Sequence, residues 1–320
     1  MPTLYRVRFR LASPLGTPLH SGTLFGNLCW IWRYLYGEED LGRWLVSLQH
    51  DPFLISDGFL AEYLPRPLLR ASEPRALSLQ EVNLRKRVKK LRLVPREIFL
   101  ELRDKLSEDA LQASLIRWMT DEESAEKERT PEENRRHGVE GWVRVPHNHI
   151  HRLTGRTPDS GGLFFSEELW ATGLKQYRDV YVYTSLPIAK LRELFEQMGR
   201  FGYGKDASWG RGRFDGVEIE QERELDADAS RPRAMSLSHG SLTPNMGNAR
   251  YHLETHYGRV GGVYSSTESP FKYPLVLLKP GATFDAAAGP FGQLLTDLHP
   301  TKPWVRHNAW HLVVTFREAD

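Results

Sequence analysis

The chain has 320 residues, with 43 Lys and Arg against 41 Asp and Glu, a formal net charge of +2, and 40% hydrophobic residues. That length and apolar content support one large domain or two ordinary ones with a sizeable core, and they exclude wholesale disorder. The near-zero charge excludes a uniformly basic nucleic-acid binder, so any such site must come from local clustering.

Residues 4–11, LYRVRFRL, alternate apolar and basic side chains, the period of a strand with one buried and one basic face. After the turn-rich SPLGTPLH, the run SGTLFGNLCWIWRYLYG predicts a helix with Ser21 as N-cap and Gly37 as stop. Cys29, the only cysteine, lies in that run as a small core residue, which excludes an internal disulfide and a cysteine-built zinc site. A second short helix is predicted over 39–48. Residues 83–96 carry seven cations and no acid, a pattern that fits either a solvated basic face or a strip for a polyanion. Residues 120–140 are nearly free of apolar side chains and read as a mobile surface insertion without chemistry.

The segment 142–155 reads as a strand entering a long hairpin, with DSGGLFF at 159–165 as turn and start of the return strand. YRDVYVYTS at 177–185 is a strand, and residues 188–200 form a helix ending at Gly199 or Gly202. GRFDGVEIE is a further strand, and the polar stretch up to Pro232 and Arg233 reads as a linker. MSLSH, YPLVLLKPGATF and HNAWHLVVTF supply strand-like runs to the end. The order strand–helix–strand–strand–helix–strand is the ferredoxin-like arrangement with an inserted hairpin. No stretch approaches the ~20 apolar residues of a spanning helix. MPTLYRVRFR does not read as a signal peptide, and a reducing cytoplasm is the expected compartment.

Candidate chemistry centres on FGYGKDASWGRGRF, residues 201–214, which packs four glycines, three cations and four aromatic rings into one loop. Glycines let backbone N–H groups approach a ligand closely, and Lys205, Arg211 and Arg213 suggest an anionic one. A dinucleotide loop follows a strand and opens a helix, whereas this one follows a helix. The P-loop pattern fails because Asp206 follows Lys205. A stacked, phosphate-bearing single strand fits better. HNHIH places His147, His149 and His151 on alternate positions; no carboxylate motif accompanies them, so they read as a polar hairpin face rather than a metal site. His20, just before the first helix, reads as a phosphate or base contact beside free helix N–H groups, or as a general base for attack by a 2′-hydroxyl.

The segments SPLGTPLHSGTLFGNLCWIWRYLYGEEDL, VRVPHNHIHRLTGRTPDSGGLFFSEELW, FGYGKDASWGRGRF and FKYPLVLLKPGATF, in that order, resemble one group of the RAMP superfamily. It is the Cas5 group that caps the crRNA 5′ end in type III-A CRISPR (Csm) interference complexes, as their fourth subunit. The resemblance spans nearly the whole chain. It implies an α+β fold of two ferredoxin-like (RRM-like) domains, over 1–222 and 234–320 with a linker at 223–233. A thumb hairpin at about 142–176 is inserted in the first, and the glycine-rich loop follows the second helix.

The resemblance further implies a non-catalytic RNA-binding subunit, with no cofactor and no metal. It would hold the crRNA 5′ handle and lie beside target RNA. Its protein partners would be the large polymerase-like subunit and a backbone RAMP subunit, with no membrane. Carried onto this sequence, the handle site comprises His20, Ser21, Thr23, Gly202, Tyr203, Gly204, Lys205 and Arg211, and the thumb uses Arg144, Asn148, Ile150 and Arg152. The family often has an acidic residue where this chain has His151. The rival expectation is a metal-independent RAMP endoribonuclease processing pre-crRNA, with His20 as its base.

Overall fold

The computed structural model describes residues 2–72, 78–158, 160–228, 230–262, 264, 269–286 and 289–319. Its N-terminal half runs β1 (Thr3–Leu11), α1 (Ser21–Tyr36), α2 (Glu38–Ser47), β2 (Leu54–Ile55), β3 (Phe59–Leu60), β4 (Tyr63–Pro65), α3 (Leu79–Val88) and β5 (Leu93–Pro95). It continues through α4 (Arg96–Leu102), α5 (Glu108–Glu128), α6 (Pro131–His137), β6 (Glu140–Asn148), β7 (Leu163–Ala171), β8 (Tyr177–Thr184), α7 (Ile188–Phe201) and β9 (Phe214–Gln221). The central antiparallel sheet has the order β2–β8–β1–β9, with β3 also pairing with β8.

The alternation read in β1 sets this sheet. Val7, Phe9 and Leu11 point into one core with Val180, Val182 and Ile219, and α1 and α7 cover it through Leu24, Leu28, Leu191 and Phe195. Phe9 stacks on Phe214 with ring centroids 4.1 Å apart. Each such buried side chain contributes about 1.5–3 kcal/mol. The opposite face carries the arginines, and each meets acid: Arg6 with Glu62 and Glu220, Arg8 with Asp179 and Glu62, Arg10 with Asp215. The basic face of this strand is therefore an ion-pair layer rather than a surface for polyanions.

One sequence reading changes here. Residues 120–140 are largely helical: α5 runs to Glu128, and α6 starts at a reciprocal Thr130–Glu133 capping box. Low hydrophobicity marked a surface helix, not an unstructured insertion. The basic run 83–96 spans the end of α3, a turn, β5 and the first residue of α4; Lys86, Lys89, Lys90 and Arg92 are exposed as on a solvated basic face, and the other three cations face carboxylates. Arg85 pairs with Asp109 at 3.0 Å, Arg87 with Glu123, and Arg96 with Glu222 at 3.0 Å and Glu224 at 2.6 Å.

Residues 233–316 add β10 (Arg233–Ser236), β11 (Leu253–His256), β12 (Leu275–Leu278), β13 (Thr283–Asp285), β14 (Gly292–Leu295), β15 (His307–Trp310) and β16 (Val313–Phe316). They pair as β13–β10–β16, β11–β12 and β14–β15, and the described residues after 233 contain no α-helix. This part shares a core with the first: Met235, Leu237, Val314 and Phe316 pack with Leu4, Tyr181, Phe99 and Leu115. Among residues 223–233, where Ala229 lies outside the described residues, the chain is pinned to α4 and its following turn. Leu225 is buried, Arg231 pairs with Asp104 at 2.7 Å, and Arg103 donates to the carbonyls of Glu224, Asp226 and Thr315.

His311 in this shared region is buried between Ser236 and Ser241, and burial pushes its pKa down to about 4. The unfolded chain takes up a proton near 6.5 that the folded chain refuses until about 4. Its contribution is therefore complete above pH 6.5 and is lost as pH falls through that window, by up to about 3 kcal/mol. Urea midpoints measured between pH 7 and 4 should fall accordingly, and His311→Gln should flatten that slope.

Candidate nucleic-acid interface

Three segments converge at one end of the central sheet. Helix α7 ends at Gly202, whose φ of +90° and amide bond to Met198 turn the chain sharply. The loop that follows is tied to the β1–α1 connection. Tyr203 N donates to Gly212 O (2.9 Å), Gly212 N to Pro14 O (2.8 Å), and Lys205 N to Thr17 Oγ1 (3.0 Å). Gly204 and Gly212 allow these approaches. A Cβ on Gly204 would lie 2.8 Å from Thr17 Cβ, and one on Gly212 would lie 2.0 Å from Tyr203 O. The β6–β7 hairpin joins through a reciprocal backbone pair between Leu15 and Leu169, at 3.1 and 2.8 Å. A cleft of about 520 Å³ opens between the three segments, lined by Gly16, Pro18, Trp142, Phe165, Ser166, Glu167 and Lys205.

The residues expected to hold a handle divide accordingly. Lys205 is exposed at the cleft, with its Nζ 3.8 Å from Asp206. Gly202 and Gly204 shape the loop. Tyr203 is fully buried and its hydroxyl donates to Pro18 O at 2.7 Å, so it belongs to the core rather than to a base-stacking surface. Ser21 is likewise buried, its Oγ donating to His239 O at 3.2 Å, while Thr23 is half-buried on the first turn of α1. Arg211 is bound to the buried Glu168 at 2.9 Å, which offsets its charge. In the hairpin, Arg144 lies 4.1 Å over the Phe165 ring, Asn148 accepts from Thr157, and Ile150 and Arg152 are exposed near the tip. Asp159, counted into the turn, lies outside the described residues.

Trp209, one of the loop's four rings, is 65% exposed and lies 6.1 Å from His147, and sequence reasoning missed the two exposed hairpin rings at this end, Trp142 and Phe165. A nearly solvent-immersed two-stranded ribbon with such rings offers apolar area that a partner would cover. His147 stacks on Phe164 and bonds Ser166 at 2.7 Å. Among the described residues, His147, His149 and His151 form no metal-holding group.

His20 sits in a different environment from the one expected. The edge strand breaks between β2 and β3, and Asp57 in that break turns under the start of α1. Its carboxylate accepts from Ser21 N (2.9 Å), His239 N (3.1 Å) and His239 Nδ1 (2.7 Å). Thr23 N and Leu24 N bond back to His20 O. A buried carboxylate thus occupies the positive end of α1, and the helix terminus is not an open phosphate cradle. The His20 ring lies 4.2 Å from that of His239, and Glu254 Oε2 lies 3.9 Å from His239 Nε2. Burial holds His20 below its ordinary pKa. Burial acts in the same direction on His239, but the charge and hydrogen bond of Asp57, aided by Glu254, outweigh it and raise His239 to about 9. These partners come from positions 57, 239 and 254, which no local motif connects to His20.

No family model matches the sequence, and no curated protein matches it. Solved structures do. A chain of a Csm3–Csm4 subcomplex in the type III-A CRISPR-Cas interference complex superposes with a TM-score of 0.58 at 15% identity, over 98% of this chain and 99% of that one. The fold is that of a Csm-complex chain. Chains of the Csm1–Csm4 cassette, solved with cA4 and with pppApA, give TM-scores of 0.57 and 0.56 at 15% identity over the full length of both partners. The Csm-type fold therefore extends from the first strand to the last. Among the described residues, no helix is long and apolar enough to cross a membrane.

Proposed function

We propose that this chain is a cytoplasmic, non-catalytic, RNA-binding subunit of a type III-A CRISPR interference complex, belonging to the Cas5 group of the RAMP superfamily. The observation that carries the proposal is the full-length likeness to chains of the Csm1–Csm4 and Csm3–Csm4 assemblies, whose common component is Csm4. In this reading residues 1–222 are a ferredoxin-like domain with the β6–β7 hairpin as its thumb, 223–233 are the connector, and 234–320 a diverged second domain. The βαββαβ order with strands β2/β3–β8–β1–β9 supports the first assignment. The chain caps the crRNA 5′ handle and bridges a large polymerase-like subunit to a backbone RAMP subunit, beside target RNA.

Handle contact is assigned to the cleft at Lys205, with the exposed rings of Trp209, Trp142 and Phe165 stacking splayed bases and Arg144 reaching phosphate. Stacking contributes about 1–3 kcal/mol per base. Lys205→Ala combined with Trp209→Ala should weaken affinity for a handle-bearing RNA at least tenfold, read by fluorescence anisotropy at fixed salt. Unchanged affinity in the folded double variant removes this site from the account.

The endoribonuclease reading gains one observation, the neighbouring His20 and His239 rings. His239 is only 6% exposed, however, and its Nδ1 is committed to Asp57, so it is poorly placed to protonate a leaving group on bound RNA. Cleavage of repeat RNA in EDTA, abolished in His20→Ala, is the result that reading requires.

A further inference from the structure

We propose that His20, His239 and Glu254 form a binding site for one first-row divalent cation of the zinc type, with Asp57 as the carboxylate that orients His239. The three side chains can bring one donor atom each to within 4.8 Å of one another. A zinc ion with bonds of about 2.0–2.2 Å needs donors closer than that. His20 and Glu254 are both half-buried, and modest rotation of these two closes the gap.

His239 is the fixed member. Its Nδ1 bonds Asp57 Oδ2 at 2.7 Å, and Asp57 is itself held by the amides of Ser21 and His239. That leaves Nε2 as the metal-facing nitrogen, in the carboxylate–histidine–metal arrangement that fixes both tautomer and ring. Nε2 is buried, faces Glu254 Oε2 at 3.9 Å and has no partner within hydrogen-bond distance. A buried polar atom left unsatisfied is costly to keep, so a structure that retains one points to a missing ligand. Two imidazoles and one carboxylate suit zinc rather than magnesium or calcium, and three protein ligands leave a position for water.

Two features oppose the cation: the proton that Asp57 and Glu254 favour on His239 must leave when the metal binds, and Lys279 competes for Glu254. Lys279 Nζ holds Glu254 Oε2 at 2.6 Å, a contact that a bound metal must share or displace. The ion would cross-link the β1–α1 connection to β11 and to the segment after β10, joining the two halves of the chain. The site does not depend on the RNA-binding reading, because neither RNA nor a partner protein enters it.

The test is metal binding by the full chain, stripped with EDTA and desalted. Zinc titration should saturate at one ion per chain, and cobalt should give the visible absorption of a low-coordinate site. His20→Ala and Glu254→Gln should each weaken zinc at least tenfold with unchanged far-UV circular dichroism. Lys279→Ala should tighten it, an outcome that a purely structural ion-pair network does not give. Absence of stoichiometric zinc in the wild-type chain overturns the proposal. So does zinc affinity that is indifferent to both ligand substitutions.

Discussion

Asp179→Ala should lower folding stability by about 2–4 kcal/mol, the cost of leaving the part-buried Arg8 guanidinium and the Glu62 amide without the buried acceptor they share. Asp179 is fully buried and accepts from Arg8 Nε and Nη2, both at 2.7 Å, and from Glu62 N at 3.0 Å. The hydrogen bond to Asp179 raises the Arg8 pKa against the opposing effect of burial, so the guanidinium stays charged after the acid is removed. Arg8 keeps only Glu62, which is itself half exposed. The pair also joins β1 to β8 at the centre of the main sheet, where Arg8 lies opposite Asp179 in register. Urea denaturation followed by tryptophan fluorescence measures the loss. A cost below about 1 kcal/mol would mean that Glu62 and solvent compensate Arg8, contrary to the buried-pair estimate.

The second large effect is expected at Gly212. Its φ is +67°, and a Cβ there would lie 2.0 Å from Tyr203 O and 2.7 Å from Tyr203 N, both backbone atoms that cannot rotate away. Gly212→Ala must break the Tyr203–Gly212 and Gly212–Pro14 bonds that hold the loop against the β1–α1 connection. The handle affinity assigned to the cleft should fall at least tenfold while the sheet core stays folded. Gly210 is the control. Its φ is +84°, but the nearest atom to an added Cβ is Arg213 Nε at 4.0 Å. Gly210→Ala therefore costs only about 1–2 kcal/mol of local backbone strain. Equal RNA affinity in the two variants contradicts the role given to the loop.

Much of the frame was legible in the sequence because it is written in local periodicity. The β1 alternation, the amphipathic helix before Gly202 and the hairpin lie where spacing puts them, whereas the first helix starts with Ser21 as its first helical residue and His20, not Ser21, at the N-cap, because the Ser21 hydroxyl is turned to His239 O. Residues 54–60 were not legible: two two-residue strands interrupted at Ser56–Gly58 give no alternating run to detect. That interruption is what delivers Asp57 to the start of α1. The glycine loop also differs from its composition-based reading. Its glycines serve close backbone packing against Thr17, Pro14 and Tyr203, and only Lys205 among the named cationic and aromatic handle residues reaches the cleft. Composition marks a residue type as suited to ligand contact, but burial decides which way it faces, and Tyr203 and Ser21 face inward. The His20 environment was hidden for a different reason, since its partners come from the β2–β3 break, the segment after β10 and β11, which only tertiary packing brings to the start of α1.

The central claim is tested most directly with one end-labelled RNA beginning in a repeat-derived 5′ handle. It is incubated with the purified chain in EDTA and divided between native and denaturing gels. A retarded band over intact RNA, lost when the handle is scrambled, is the expected result. Handle RNA that is cleaved, or that migrates unshifted at every protein concentration, would contradict the reading of this chain as a non-catalytic handle-binding subunit.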